Sequence, residues 1–368
     1  MIDELDRLSG SDLYPFHMPG HKRQRTGTWL DEAYIHDITE IDDFDDLQEP
    51  EGVIAETEKK LADYYGADRA FISVNGSTCG NLSTISALVP HGGSFMMDRN
   101  SHKSVYNASC LGEYRISFLE RETIRENKLT ACISLDMVKL KLSQAKKDND
   151  LPKAVLVTSP TYEGFIADTD GIADAVHAYG IPLILDSAHG AHLPVSKKAD
   201  IAVISLHKTL PAMTQVSAVL VNGSLVKPDE VKRYINIFQT TSPSYVLMAS
   251  AENCLNIMND KGQKLKKTLE ERLDGVYSLN ESLRSLHITG PEHIGRYGIY
   301  DFDRSKINII DRTGKMDGRK IYDIFRNEYH LQPERHTERT CLMMSGVMDT
   351  EEGFTRLRQA ITDIDKKL

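Results

Sequence analysis

Residues 182–209 read PLILDSAHGAHLPVSKKADIAVISLHKT, and this stretch decides the fold. Leu183-Ile184-Leu185 and Ile201-Ala202-Val203-Ile204 are short apolar runs without polar alternation. Strands of that kind are buried on both faces, as in a mainly parallel sheet sandwiched between helices. Each run ends on residues that carry chemistry: Asp186 after the first, Ser205-Leu206-His207-Lys208-Thr209 at the end of the second. Ligands of open α/β sheets gather at the carboxyl ends of the strands, so both ends are candidate site positions.

The alternation of strand and helix extends outward. Residues 70–74, 95–98 and 154–158 read as further strands, 75–78 as a turn with a helix following it through Leu88, and 52–65 and 170–179 as helices. A long helical pattern begins near Ser244 and runs toward Leu286. Beyond it, strands at 307–310 and 341–344 alternate with helices near 318–329 and from Thr350. The expected architecture is α/β: a large domain over 25–258 built on a mainly parallel sheet, then a smaller α+β domain over 259–368. Residues 1–24 are polar and rich in Gly and Pro and read as an extended arm, with Trp29 expected to anchor it by packing. The acid-rich stretch 37–46 reads as a solvated loop, not a metal site.

The chain has 368 residues, with 44 Lys+Arg against 54 Asp+Glu and a net charge of −10. That balance speaks against a broad nucleic-acid surface, which needs a basic face. The five cysteines (79, 110, 132, 254 and 341) have no CxxC spacing and fit reduced thiols better than disulfides or a zinc site. The first residues have no basic-then-apolar signal pattern, and no run approaches the roughly 18 apolar residues of a membrane span. The expected location is the cytoplasm, with no metal, no membrane and no nucleic acid.

Four patches stand out. Gly76-Ser77-Thr78-Cys79-Gly80 lies between a strand and a helix, where free N–H groups and hydroxyls suit a phosphate; a helix-capping turn is the plainer reading. Asp186 either caps a helix or holds the protonated pyridine nitrogen of pyridoxal 5'-phosphate (PLP). Lys208 is either a solvated charge or the amine that forms a Schiff base with the cofactor's aldehyde, with Ser205 and His207 on its phosphate. His102, in Arg99-Asn100-Ser101-His102-Lys103-Ser104, is either a loop histidine or a base stacked on a planar ring.

Read together, the motifs resemble the PLP-dependent Orn/Lys/Arg decarboxylases of aspartate-aminotransferase fold (fold type I). The resemblance rests on Pro15-Phe16-His17-Met18-Pro19-Gly20-His21-Lys22, Asp37-Ile38-Thr39-Glu40-Ile41, Val74-Asn75-Gly76-Ser77-Thr78, the His102 patch, Pro160-Thr161-Tyr162-Glu163-Gly164, Asp186-Ser187-Ala188-His189-Gly190, Ser205-Leu206-His207-Lys208-Thr209-Leu210-Pro211 and Thr241-Ser242-Pro243-Ser244-Tyr245. These run in family order from about residue 14 to 245.

The resemblance implies a role for each position. Lys208 would hold PLP as a Schiff base, Asp186 would pair with the pyridinium nitrogen, and His102 would stack on the ring. Gly76, Ser77, Thr78, Ser205 and His207 would hold the phosphate, and His189 would lie beside the ring and its phenolic oxygen. Ser242, or a neighbour in 240–242, would reach the phosphate of the other subunit's cofactor in a homodimer or higher homo-oligomer with shared active sites.

The implied reaction is decarboxylation of lysine, ornithine or arginine to an amine, as in polyamine metabolism. The sequence reads as a short form, without the family's wing domain or its C-terminal Pro-Pro-Gly-Ile-Pro-like segment. Two other readings stay open. An aminotransferase or lyase of the same fold would use Arg339 as a carboxylate fork. A non-catalytic PLP-binding paralogue would bind without turnover. His17 and His21 are expected at the surface or near a neighbour's site, and Cys79 as a small helix-start residue.

Overall fold

The computed structural model describes all residues, 1–368. In chain order its strands are β1 (Arg69–Ser73), β2 (Ser94–Asp98), β3 (Arg115–Leu119), β4 (Val155–Thr158), β5 (Phe165–Ile166), β6 (Leu183–Asp186), β7 (Ile201–Ser205), β8 (Ser217–Val221), β9 (Leu286–Thr289), β10 (Asp301–Phe302), β11 (Lys306–Asp311), β12 (Arg335–His336) and β13 (Thr340–Met344).

Seven of them form one sheet in the order β1-β8-β7-β6-β4-β2-β3. The five strands from β7 to β3 are mutually parallel, while β8 runs antiparallel to both β7 and β1. Every residue of β6, β7 and β8 is buried. Each buried aliphatic side chain contributes roughly 1.5–3 kcal/mol relative to exposure, so a register slip that moved such a row to solvent would be costly. This burial on both faces is why the deciding stretch carries apolar runs without alternation.

Local chemistry explains elements that hydrophobic pattern alone leaves unread. Ser134 Oγ accepts from Met137 N–H at 3.1 Å and starts the helix Leu135–Lys147, which ends on Lys146 and Lys147. Pro228 opens the helix Pro228–Phe238, with Asp229 and Glu230 in its first turn. The helix Gly76–Leu88 follows β1 through Gly76 at φ +72°.

A second, four-stranded antiparallel sheet has the order β12-β13-β11-β9. The helices Gly318–Glu328 and Glu351–Lys367 accompany it, capped by Asp317 (2.8 Å to Lys320 N–H) and Thr350 (3.2 Å to Gly353 N–H). The helix Tyr245–Tyr277 runs between the two sheets in the chain and gives way to a 3₁₀ turn at Ser278–Glu281, short of the expected 286. The two-residue ribbon β5–β10 ties the sheets together. No helix is long and apolar enough to cross a membrane.

Three expectations are corrected. The arm is not extended throughout: Ile2–Ser9 is a helix that buries Leu5 and Leu8, and Ile2 N–H donates to Glu252 at 3.0 Å. Trp29 does not anchor the arm, because its ring is 88% exposed. The acid-rich stretch is not merely a solvated loop. Ile38, Phe44 and Leu47 are buried, and the Asp45 carboxylate accepts from Glu51, Gly52 and Ile54 N–H at 2.8–2.9 Å. Those donors are orphans at the start of the helix Val53–Tyr65, so the acid is held by the helix end.

Candidate active site

The carboxyl ends of β1, β2, β4, β6 and β7 open onto one polar cleft of about 700 Å³. Gly76, Ser77, Thr78, His102, Asp186, His189, Ser205, His207 and Lys208 all line it. These residues span more than 130 positions of sequence, and the strand order alone brings them together.

Asp186 closes β6 and is 3% exposed. It caps no helix: its carboxylate accepts from Asn81 Nδ2 at 3.0 Å and from Ala188 N–H at 3.2 Å. Lys208 stands in the short turn Leu206–Thr209 just after β7. Its Nζ lies 3.0 Å from His189 Nε2, its sole hydrogen-bond partner. Burial lowers the proton affinity of the lysine, and nearby Asp186 only partly opposes this. Burial likewise pushes His189 down to about 2, assisted by the charges of Lys208, Lys306 and Arg335. His189 is therefore a neutral acceptor beside Lys208. His102 precedes the helix Lys103–Leu111 and accepts Ser104 N–H on Nδ1 at 3.2 Å, with burial lowering its proton affinity as well.

Ser77 Oγ and Ser205 Oγ are 2.6 Å apart at the start of the helix Gly76–Leu88. His207 Nδ1 donates to Val216 C=O at 2.9 Å, which leaves Nε2 for the cleft. Gln215 C=O accepts Gly76 N–H at 2.9 Å and fixes the turn. A helix N-terminus lined by hydroxyls suits a phosphate. Four buried atoms of cleft residues, Asn81 Oδ1, Thr158 Oγ1, His189 Nδ1 and Arg335 Nε, have no protein partner. Buried polar atoms are almost always paired, so these four signal a polar guest. Together with the half-buried amine of Lys208 and the buried carboxylate of Asp186, this donor set fits PLP.

Ser242 is not brought into the cleft. It is exposed, and its N–H donates to Thr240 Oγ1 at 3.2 Å. Arg339 also lies outside the lining, and Arg335 takes the position in the cleft instead. The Arg335 guanidinium sits 4.1 Å over the Tyr162 ring and pairs with Glu163, while Tyr162 packs 4.5 Å from the His189 ring. His21 is held in the arm by Asp37 at 3.2 Å and by stacking on Tyr34. Cys79 is buried behind the cleft, 3.7 Å from Ser83 Oγ.

Asn81, Arg121 and Arg335 were invisible as site residues. Arg121 forms a buried bidentate pair with Asp98 at the end of β2. A weak signal did exist for Tyr162 and Glu163, which lie in a motif directly after β4.

Comparison with known proteins agrees with this geometry. The family profile described as "Orn/Lys/Arg decarboxylase, major domain" matches residues 3–307. The arginine decarboxylase of Bacillus cereus is 29% identical over 367 residues, covering 95% of this chain and 78% of that protein. The lysine decarboxylase LdcF of Francisella novicida superposes with a TM-score of 0.86 at 20% identity, covering 99% of this chain and 59% of that one. This chain thus spans about three-fifths of that enzyme's length. A structure of SPT with PLP matches with a TM-score of 0.64 at 16% identity, over 85% of this chain and 76% of its own. The fold is that of the fold type I PLP enzymes.

Proposed function

The chain belongs to the Orn/Lys/Arg decarboxylase family, and on that premise we propose that it is a PLP-dependent enzyme that decarboxylates a basic amino acid: lysine, ornithine or arginine. The observation that carries the reading is Lys208, a cleft-facing amine with one neutral partner, His189 Nε2 at 3.0 Å, on the same cleft wall as the buried Asp186.

When bound, PLP supplies an aldehyde that takes up the substrate amine and a conjugated ring that accepts the electron pair left when the Cα–carboxylate bond breaks. The protein's part is to bind, orient and move protons. Lys208 would hold the cofactor covalently. Burial lowers its proton affinity, which favours the neutral, nucleophilic form of the amine. Asp186 keeps the ring nitrogen protonated, since a buried carboxylate favours the charged partner. Ser77, Thr78, Ser205, His207 and the amides after Gly76 hold the phosphate, and His102 covers the ring. The reacting bond must stand perpendicular to the ring, so the cleft wall that places the carboxylate selects the reaction. Once the substrate amine displaces it, Lys208 Nζ would carry the protons that amine gives up and would be placed to return one to Cα, with His189 as its hydrogen-bond acceptor.

Arg335 favours a second reading. An arginine fork that clamps the substrate carboxylate would hold it back from leaving and direct the enzyme to transamination. Its charge is already engaged by Glu163, which places decarboxylation first. The deciding experiment incubates PLP-loaded protein with carboxyl-labelled lysine, ornithine and arginine and follows labelled CO2 with the organic product. Labelled CO2 and the matching amine bear out the proposal. A keto acid without CO2 overturns it in favour of transamination.

Three further parts belong to the same proposal. The enzyme acts in the cytoplasm. It works as a homodimer at least, with Ser242 reaching the partner's cofactor phosphate. Its large and small domains meet on the long helix near residue 258.

A further inference from the structure

Asn81 stands one turn into the helix Gly76–Leu88 and is 1% exposed. Its Nδ2 donates to Asp186 Oδ2 and to Ser104 Oγ, both at 3.0 Å. Both amide hydrogens are engaged, while Oδ1 is buried with no partner. The reverse orientation of the amide would set its oxygen against a carboxylate oxygen with no proton between them, so the donor side must face Asp186.

The bridge continues outward. Ser104 Oγ is 2.8 Å from His102 Nδ1, and Ser104 N–H donates to the same nitrogen at 3.2 Å. Nδ1 is therefore an acceptor, and the proton of the neutral ring sits on Nε2. To become charged, His102 must place a proton on Nδ1 against the Ser104 N–H. The hydroxyl of Ser104, already accepting from Asn81, is free to donate toward Nδ1. The charged groups facing His102 are Asp186, Lys208 and its neighbour Lys103.

Close packing of the helix makes the reach possible. A Cβ on Gly80 would lie 2.6 Å from Val203 Cγ1 on β7 and 3.2 Å from Val219 Cγ2 on β8. Glycine lets this helix settle on the sheet at the residue before Asn81.

We propose that Asn81 is a positioning residue that couples Asp186 to His102 through Ser104, so that the partner of the ring nitrogen and the residue over the ring face are set by one side chain. The inference rests on the PLP reading, but Asn81 takes no part in that reading. Its meaning is geometric: the donor held on Asp186 also fixes the Ser104 hydroxyl as a donor toward His102 Nδ1, which favours the neutral ring.

The test follows the His102 ring by NMR in histidine-labelled protein without cofactor, and the pH midpoint of cofactor absorbance in the loaded protein. Asn81→Leu is expected to raise the His102 titration by about half a pH unit. It is also expected to displace the cofactor midpoint and to weaken PLP binding about tenfold. Ser104→Ala cuts the bridge one bond further out. It is expected to raise the His102 titration by a similar amount and leave the cofactor midpoint unchanged. If Asn81→Leu does not fold, Ser104→Ala decides the His102 half alone. A folded Asn81→Leu or Ser104→Ala protein with an unchanged His102 titration overturns the inference. A wild-type protein that binds no PLP overturns the cofactor reading instead, while the His102 titrations still decide whether the bridge exists.

Discussion

Lys208 and Lys306 both touch His189, and their surroundings differ in one respect. Lys306 Nζ lies 3.3 Å from the His189 carbonyl oxygen, 2.9 Å from Asp303 and 3.0 Å from Ser305 Oγ, and its side chain is fully buried. Each of its three N–H groups has an acceptor. Asp303 is held far below the usual carboxylate range, its burial outweighed by Lys306, His192 and Ser305. Lys208 has a single, neutral acceptor and faces an open cleft. An amine whose three hydrogens are all engaged in a closed pair has no room for a reactant. One with a single neutral acceptor at an open cleft does, and burial lowers its proton affinity. The difference teaches that partner count, more than burial, separates a structural lysine from the one proposed to do chemistry.

The sharpest way to break the comparison is to exchange the two roles. Lys208→Ala is expected to lower turnover at least roughly a thousandfold and to remove the borohydride-reducible PLP adduct. Lys306→Met should keep the adduct. An adduct that survives in Lys208→Ala would move the chemistry to another lysine.

The next effect falls on stability. Lys306→Met leaves Asp303 charged and buried without its main partner, which costs about 3–5 kcal/mol in urea unfolding. Adding Asp303→Asn should restore much of that loss. A single-variant cost below about 1 kcal/mol would show that the pair is not closed.

His189 sharpens the contrast by pH. Its titration is depressed to about 2 in the folded chain, against an ordinary imidazole value of about 6.5. The unfolded chain therefore binds the extra proton first as pH falls. Stability is full above about pH 6.5 and declines below it, by about 2 kcal/mol at pH 5. His189→Asn should remove that part of the acid sensitivity, read as the urea midpoint at pH 7.5 and pH 5. An unchanged pH slope would mean that His189 is already protonated in the fold.

The smallest effect belongs to the rim. Arg335 is 37% exposed, so Glu163→Gln should change stability by no more than about 1 kcal/mol. A much larger loss would place that pair with Lys306 rather than at the cleft mouth.

The strand-end motifs were legible because each is local. Asp186 and Lys208 follow apolar runs whose burial is written in consecutive residues, and Gly76-Ser77-Thr78 follows another. Asn81 was not legible, since a polar residue inside a helix carries no sign of an acceptor 105 positions away. Arg335 was missed in favour of Arg339 for a similar reason. The two lie in one charged segment, and only the pairing of β12 with β13 decides which one enters the cleft. The arm misled because its composition is that of a loop, while the amphipathic helix Ile2–Ser9 within it is held by Glu252, 250 residues on.

The sequence by itself determined the α/β class and the polar residues that end its strands, because apolar periodicity and turn chemistry are short-range properties of a chain. The tertiary structure alone decided which lysine is saturated, which arginine enters the cleft and which amide joins Asp186 to His102. Those outcomes depend on partners far apart in sequence, and the reactivity of a buried charge is set by the partners that packing brings to it.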